Sequence, residues 1–271
     1  MSVYALEAHD LRASYTGPTN EVLKGINEHI ETGTFTVILG PNGSGKSTFL
    51  MTLAKILAPT AGEIHIAGQK AADLKGNDFA KLLALMPQQA HAPEGIRVWD
   101  LVSHGRHPHR SFWQPLGKDD LTAVDQALAA TGCTDLANRR VLELSGGQRQ
   151  RVWIAMALAQ QAPLILLDEP IAHLDLSHAL DVLDIAVDLV QHGQTVVAVL
   201  HDINLAARYA DKLIVVHDGC VVASGPPAQV ITENLIRDVF GVEARVFPDP
   251  ETGTPYIAPR AHHGRVDRTS L

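Results

Sequence analysis

Cysteine is nearly absent from this chain of 271 residues: Cys133 and Cys220 stand far apart, without metal-ligand spacing. No disulfide framework is implied, and the pair fits a reducing compartment in which both are small buried side chains. Long apolar runs are missing too. Nothing approaches the roughly 20 apolar residues of a membrane-spanning helix, and the start, Met1 to Glu7, has neither the basic nor the apolar stretch of a secretory leader. The expectation is a soluble chain that stays inside the cell. Positive charge is in deficit, with 22 Lys and Arg against 30 Asp and Glu and a formal net charge of −8. No general field therefore draws the chain to nucleic acid or to an anionic lipid surface, and membrane contact should run through protein. What is present, 46% hydrophobic and 19% charged residues, suffices for one large core or a core with a satellite subdomain, and excludes disorder for the bulk.

The most informative stretch is Gly40-Pro41-Asn42-Gly43-Ser44-Gly45-Lys46-Ser47-Thr48, directly after the apolar run Phe35-Thr36-Val37-Ile38-Leu39. It reads as strand, phosphate loop and helix. Glycines let backbone N–H groups turn inward around a polyphosphate, and a helix starting near Gly45 points its positive dipole end at the same charge. Lys46 would reach the terminal phosphates, the Ser47 hydroxyl is placed for Mg²⁺, and Thr48 helps hold the helix start. An ordinary Gly-rich turn would need neither the lysine nor the hydroxyls.

Upstream, Tyr4 to Tyr15 and Val22 to Ile30 alternate about the turn-rich Thr16-Gly17-Pro18-Thr19-Asn20, an antiparallel start. The Tyr15 ring could stack on an adenine or sit in a sheet core. After the loop, Phe49, Leu50, Leu53, Ile56 and Leu57 share one helical face that Pro59 stops. A short strand (Glu63 to Ile66), a helix with Leu74 and Phe79 inside, and a buried strand (Leu82 to Met86) lead to Pro87-Gln88-Gln89. From about 90 to 140 the pattern becomes helical, with stretches near Val98 to His104 and Asp119 to Ala130 around a polar aromatic loop, Gly105 to Trp113. His104, His107 and His109 lack a carboxylate or cysteine at ligand spacing. Contact with a partner through exposed Arg, Phe112 and Trp113 is the better reading.

Ser145 and Gln148 form a capping box ahead of an Ala-rich helix, and Gly146 and Gly147 leave its first-turn N–H groups bare, a second anion-binding helix start. Leu164-Ile165-Leu166-Leu167 has the length of a buried parallel strand and delivers Asp168-Glu169 to its carboxyl end. In a nucleotide site Asp168 would hold Mg²⁺ through a water, and Glu169 would polarise the water attacking the γ-phosphate. Leu174-Asp175 precedes a helix from Ser177 to His192, whose Asp181, Asp184 and Asp188 form a solvated face. Thr195 to Leu200 is a third buried strand, with His201 at the sheet edge where open α/β folds bind ligands, which makes it a candidate γ-phosphate sensor. A hairpin across Asp218-Gly219, an amphipathic helix from Gln229 to Phe240, a small hairpin (Ala244 to Phe247 with Tyr256 to Ala258) and an aperiodic tail from His262 complete the chain.

Tyr15, Gly40 to Thr48, Gln88, Leu144-Ser145-Gly146-Gly147-Gln148-Arg149-Gln150-Arg151, Leu164 to Pro170, Leu174-Asp175 and His201, in this order, resemble the nucleotide-binding subunit of an ATP-binding-cassette transporter from Tyr4 to about Gly241. The resemblance implies an α/β fold: a P-loop NTPase core with a mostly parallel sheet, an antiparallel β subdomain and an α-helical insertion at about 90–143. The cassette would span 1–241, with a C-terminal hairpin and tail at 242–271. It implies ATP and Mg²⁺ as ligands, the metal held about Ser47, Gln88 and Asp168. It further implies a homodimer with two ATP molecules buried between the phosphate loop of one subunit and Ser145 to Gln148 of the other, with Asp175 crossing the interface. Gln88 would couple nucleotide state to the insertion, which docks on integral membrane permease subunits at the cytoplasmic face of the inner membrane. An extracytoplasmic substrate-binding protein would be an indirect partner, and nucleic acid none. Ile171 and His173 depart from the usual pattern at positions without phosphate chemistry.

A DNA-repair or translation cassette would carry a long coiled coil or two cassettes, and a non-hydrolysing binder would lack Glu169 or His201; neither description fits. Gly105-Arg106-His107-Pro108-His109, Trp153 to Gln160 and Val199 to Asn204 resemble the subfamily that drives uptake of iron complexes, ferric siderophores above all, with haem and cobalamin as near relatives. His107 stands where that subfamily often has Tyr.

Overall fold

The computed structural model describes residues 3–15, 20–88, 91–111 and 114–260. Most of the expected turn at Thr16 to Asn20, Gln89, the loop aromatics Phe112 and Trp113, and the tail lie outside these residues. In chain order the elements are β1 (Tyr4–Ala13), β2 (Leu23–Glu31), β3 (Phe35–Leu39), α1 (Lys46–Leu53), β4 (Ala61–Ile66), β5 (Gln69–Lys70), α2 (Gly76–Ala80), β6 (Leu83–Met86), α3 (Val98–Ser103), α4 (Lys118–Ala130), α5 (Gly146–Ala159), β7 (Leu164–Asp168) and α6 (Leu176–Gln191). The chain continues with β8 (Thr195–Val199), α7 (Ile203–Tyr209), β9 (Lys212–His217), β10 (Cys220–Gly225), α8 (Pro227–Val230), α9 (Glu233–Phe240), β11 (Ala244–Pro248) and β12 (Pro255–Pro259).

Six strands form the central sheet in the order β10-β9-β3-β8-β7-β6, all parallel neighbours except the β9–β10 hairpin. Its inner strands read as unbroken apolar runs because successive residues feed two different cores. Val37 and Leu39, Ile165 and Leu167, Val196 and Ala198 and Leu213 and Val215 face the helices, chiefly α3 to α7. Ile38, Leu164, Leu166, Val197, Val199, Ile214 and Val216 face α1 and the four-stranded antiparallel sheet β2-β1-β4-β5. Helix α1 is thus packed between two sheets, with Phe49, Leu50 and Leu53 fully buried. Strand and helix ends that carry phosphate chemistry therefore sit on a frame that cannot shift without opening both cores.

Four expectations about the fold need correction. Helix α1 ends at Leu53, because Lys55 takes a left-handed turn (φ 57°) and the N–H groups of Ile56 and Leu57 bond back to the Met51 carbonyl. Ile56 is consequently exposed. The helix expected around Leu74 and Phe79 is a 3₁₀ turn at Ala71–Asp73 followed by the short α2. The stretch from Gln229 to Phe240 is two helices, since the Thr232 hydroxyl caps a fresh start by accepting from the Leu235 N–H at 3.1 Å. Cys133 is buried, whereas Cys220, at the start of β10, is exposed. Among the described residues no helix is long and apolar enough to cross a membrane.

Candidate functional site: a phosphate loop and a carboxylate held by two side chains

Strand β3 stops at Leu39 and the loop Gly40 to Gly45 turns into α1. A side chain at Gly40 (φ 152°) would bring its Cβ to 2.1 Å from the Val216 carbonyl oxygen, so only glycine lets the loop fold back this tightly against β9. Gly45 (φ 106°) precedes the helix without a side-chain cap, and the first-turn N–H groups stay open to an anion. Asn42, Gly43, Gly45, Lys46, Ser47 and Thr48 line one cleft, whose far wall is Glu169 and His201.

Lys46 is buried, and its Nζ donates to the carbonyl oxygens of Gly40 and Pro41, both at 2.9 Å. Burial pushes the ammonium below its usual range, and the Glu169 and Asp168 carboxylates oppose that shift. The Ser47 hydroxyl donates to Asp168 Oδ1 at 3.1 Å. Asp168, at the end of β7, is 1% exposed. Burial raises its carboxyl above the ordinary value, against the Ser47 hydrogen bond and the Lys46 charge. Ser44 Oγ is buried with no hydrogen-bond partner, a polar group turned to the loop that a phosphate oxygen would satisfy. Two hydroxyls, an ammonium and open N–H groups fit a nucleotide polyphosphate, and the oxygens of Ser47 and Asp168 fit the hard cation that accompanies it. Tyr15 is 60% exposed with its hydroxyl 3.2 Å from Thr48 Oγ1, which leaves it open to a stacking partner.

Glu169 follows Asp168 with a left-handed backbone, φ 51°, unusual for a non-glycine residue. The twist turns its carboxylate out of the sheet to meet two side chains. Gln88 Nε2, two residues past β6, donates to Oε2 at 2.6 Å, and His201 Nε2, after β8, lies 2.7 Å from Oε1. Three strand ends, adjacent in the order β8-β7-β6, thereby supply one cluster.

The second expected anion site is built as foreseen at its cap. Ser145 Oγ accepts from the Gln148 N–H at 3.3 Å, and Gln148 Oε1 from the Ser145 N–H at 3.2 Å. Its two glycines differ: a Cβ on Gly146 would meet nothing nearer than Leu174 at 3.9 Å, whereas one on Gly147 would strike the His178 ring at 2.5 Å. Gly147 thus makes room for His178. Asp175 caps α6 through the His178 N–H (2.9 Å) and holds the same ring at Nδ1 (2.7 Å). Those bonds, from the His178 backbone first and its ring second, keep the Asp175 carboxyl below the usual range. His178 gave no signal in the sequence, since nothing there says that its ring meets Gly147. Gly146 lines a cleft with Gln88, Gln150, Trp153, Glu169 and His173, distinct from the phosphate-loop cleft; only Glu169 belongs to both. Among the described residues no cluster of three or more His, Cys, Asp or Glu side chains could hold a metal, so the histidines from His104 to His109 are not assembled as ligands.

Known proteins resemble this chain over most of its length. Residues 23–172 match the family model described as ABC transporter. The chain is 44% identical over 263 residues to the petrobactin import ATP-binding protein of Bacillus anthracis, covering 97% of this chain and 96% of that protein. It is 42% identical over 266 residues to the ATP-binding protein of a probable siderophore transport system of Bacillus subtilis, covering 98% and 95%. A dimeric structure of a bacterial ABC transporter cassette superposes with a TM-score of 0.72 at 30% identity, over 82% of this chain and 98% of that one.

Proposed function

This chain belongs to the ABC transporter family as an ATP-binding subunit that couples hydrolysis to transport, and from that premise we propose that it drives import of a ferric siderophore. The observation that carries the chemistry is the convergence of Gln88 and His201 on Glu169 opposite the phosphate loop. Lys46 and the helix start hold the β- and γ-phosphates of ATP, and Tyr15 takes the adenine face. Glu169 accepts the proton of the attacking water, while His201 and Gln88 fix the direction in which its carboxylate points. Ser47 and Asp168 would hold Mg²⁺, which would supply charge stabilisation to the departing phosphate. Because Ser145 to Gln148 contributes nothing to the phosphate-loop cleft of its own chain, the proposed working form is a homodimer in which each helix start closes the partner's nucleotide. The dimeric cassette to which the chain is similar supports that reading.

The proposed place is the cytoplasmic face of the inner membrane, on permease subunits fed by an extracytoplasmic binding protein. The cargo rests on the two relatives named for petrobactin and siderophore import and on no residue of the nucleotide site. Growth of a deletion strain on ferric siderophores, haem or cobalamin tests it. Loss confined to siderophores is expected; loss confined to haem or cobalamin would reassign the cargo, and unchanged growth on all three would discard import of iron complexes.

A further inference from the structure

Helix α5 begins at the Ser145 cap and ends, 14 residues later, at Ala159. Its last carbonyls have no partner within the helix. Two side chains of the 3₁₀ segment His104–His109 supply them: Arg106 Nη1 donates to the Ala159 carbonyl at 2.7 Å, and His109 Nε2 to that of Gln160 at 2.7 Å. Gly105 permits the approach, since a Cβ there would lie 2.2 Å from the Met156 carbonyl oxygen. Arg106 is 4% exposed, with Nε on Asp120 Oδ1 of α4 at 2.9 Å and Nη1 also on Gln161 Oε1 at 2.9 Å. Gly105-Arg106-x-Pro108-His109, which resembles a subfamily signature, is therefore explained by packing on the end of α5 and not by cargo.

The same helix end is fastened to the sheet. The Gln160 amide donates to the Leu83 carbonyl at 2.8 Å and to the Ala80 carbonyl. Leu83 opens β6, an edge strand whose one neighbour among the described residues is β7, and the chain leaves β6 at Met86 and passes through Pro87 to Gln88. An edge strand lacks a ladder on its free side, so the clasp from α5 gives β6 a second hold beside its pairing with β7.

We propose that Gln160 is a positioning residue for ATP hydrolysis, binding the end of the Ser145–Gln148 helix to β6 so that this helix start and Gln88 are carried as one unit, while Arg106 holds the same helix end to Asp120 of α4. This rests on the reading that Gln88 orients Glu169 for hydrolysis. A displacement of the clasp moves Gln88 off the carboxylate without touching Lys46, and misplacement of about 1 Å costs on the order of a hundredfold in rate.

The test compares Gln160→Leu, which keeps bulk but removes the donor, with Gln160→Glu, which sets a carboxylate against two carbonyl oxygens, and compares Arg106→Ala with Arg106→Lys, which keeps the charge at Asp120 but not the fork. Steady-state hydrolysis, fluorescent-ATP binding, melting temperature and hydrogen exchange at residues 83–88 are read for each. In Gln160→Leu, kcat is expected to fall about tenfold to a hundredfold with nucleotide Kd within about twofold. Gln160→Glu should lose more, Arg106→Lys less than Arg106→Ala, and exchange should quicken at 83–88 but not at 35–48. Unchanged kcat and exchange in Gln160→Leu would overturn the proposal, as would a loss in which Kd and melting temperature fall together and Leu and Glu behave alike. If the unmodified chain hydrolyses no ATP, the catalytic reading fails on its own, and the exchange comparison alone decides whether the clasp holds β6.

Discussion

His201 Nε2 lies 2.7 Å from Oε1 of Glu169, and the left-handed backbone of Glu169, φ 51°, is what turns the carboxylate toward it. Strain of this kind costs on the order of 1–3 kcal/mol and persists only where the surroundings enforce it. Here the surroundings are β7, buried at all five positions, and Gln88 on the opposite oxygen.

Glu169→Gln keeps the shape but removes the proton acceptor. Phosphate release is expected to drop by about 10²–10⁴-fold with ATP binding retained, so that ATP accumulates between subunits and light scattering shows a dimer that ADP does not support. Phosphate release near the wild-type rate would remove Glu169 from its assigned role.

Lys46→Ala should behave oppositely, losing nucleotide binding itself. The phosphate charge then has no counter-ion, while the fold, held by the buried Phe49, Leu50 and Leu53 further along the same helix, stays intact. Circular dichroism alongside fluorescent-nucleotide titration separates the two; tight binding by the variant would contradict the loop assignment.

Asp168 carries a stability consequence. Burial raises its carboxyl above the unfolded value, so the folded chain binds more protons than the unfolded one between the two values. Its contribution is therefore most favourable below the ordinary carboxylate range, falls as pH rises between the unfolded and the raised folded pKa, and is a cost above them. Asp168→Asn should raise the melting temperature of the nucleotide-free protein at pH 7 while abolishing hydrolysis, because Ser47 can still donate to the amide oxygen. The gain should shrink toward acid pH, and a melting temperature lowered at pH 7 would refute the argument.

Asn204 holds the C-terminal hairpin. Its Oδ1 accepts from the Ile257 N–H at 2.7 Å and its Nδ2 donates to the Ile257 carbonyl at 3.1 Å, pairing β12 to α7 just after His201. Asn204→Ala forfeits two hydrogen bonds, about 1–3 kcal/mol together. Limited proteolysis should then cut near 249–254 faster, and equal cutting rates in both proteins would show that the amide does not anchor the hairpin.

Local sequence determined whatever depends on neighbours in the chain. The phosphate loop, the capping box at Ser145 and Gln148, the buried strand before Asp168-Glu169 and the Asp218-Gly219 hairpin are each set by residue types within a few positions, and each stands where the spacing puts it. Where a helix stops was less legible. Lys55 leaves α1 early because its ammonium reaches the Ala71 and Leu74 carbonyls, contacts that no periodicity displays. Only tertiary structure could decide that Gln88, Glu169 and His201 meet on one carboxylate, that Gly147 yields its space to His178, and that Arg106 closes the end of α5. Each of these pairings joins separate elements, and sheet order and helix packing, which local propensity does not encode, set the distances between them.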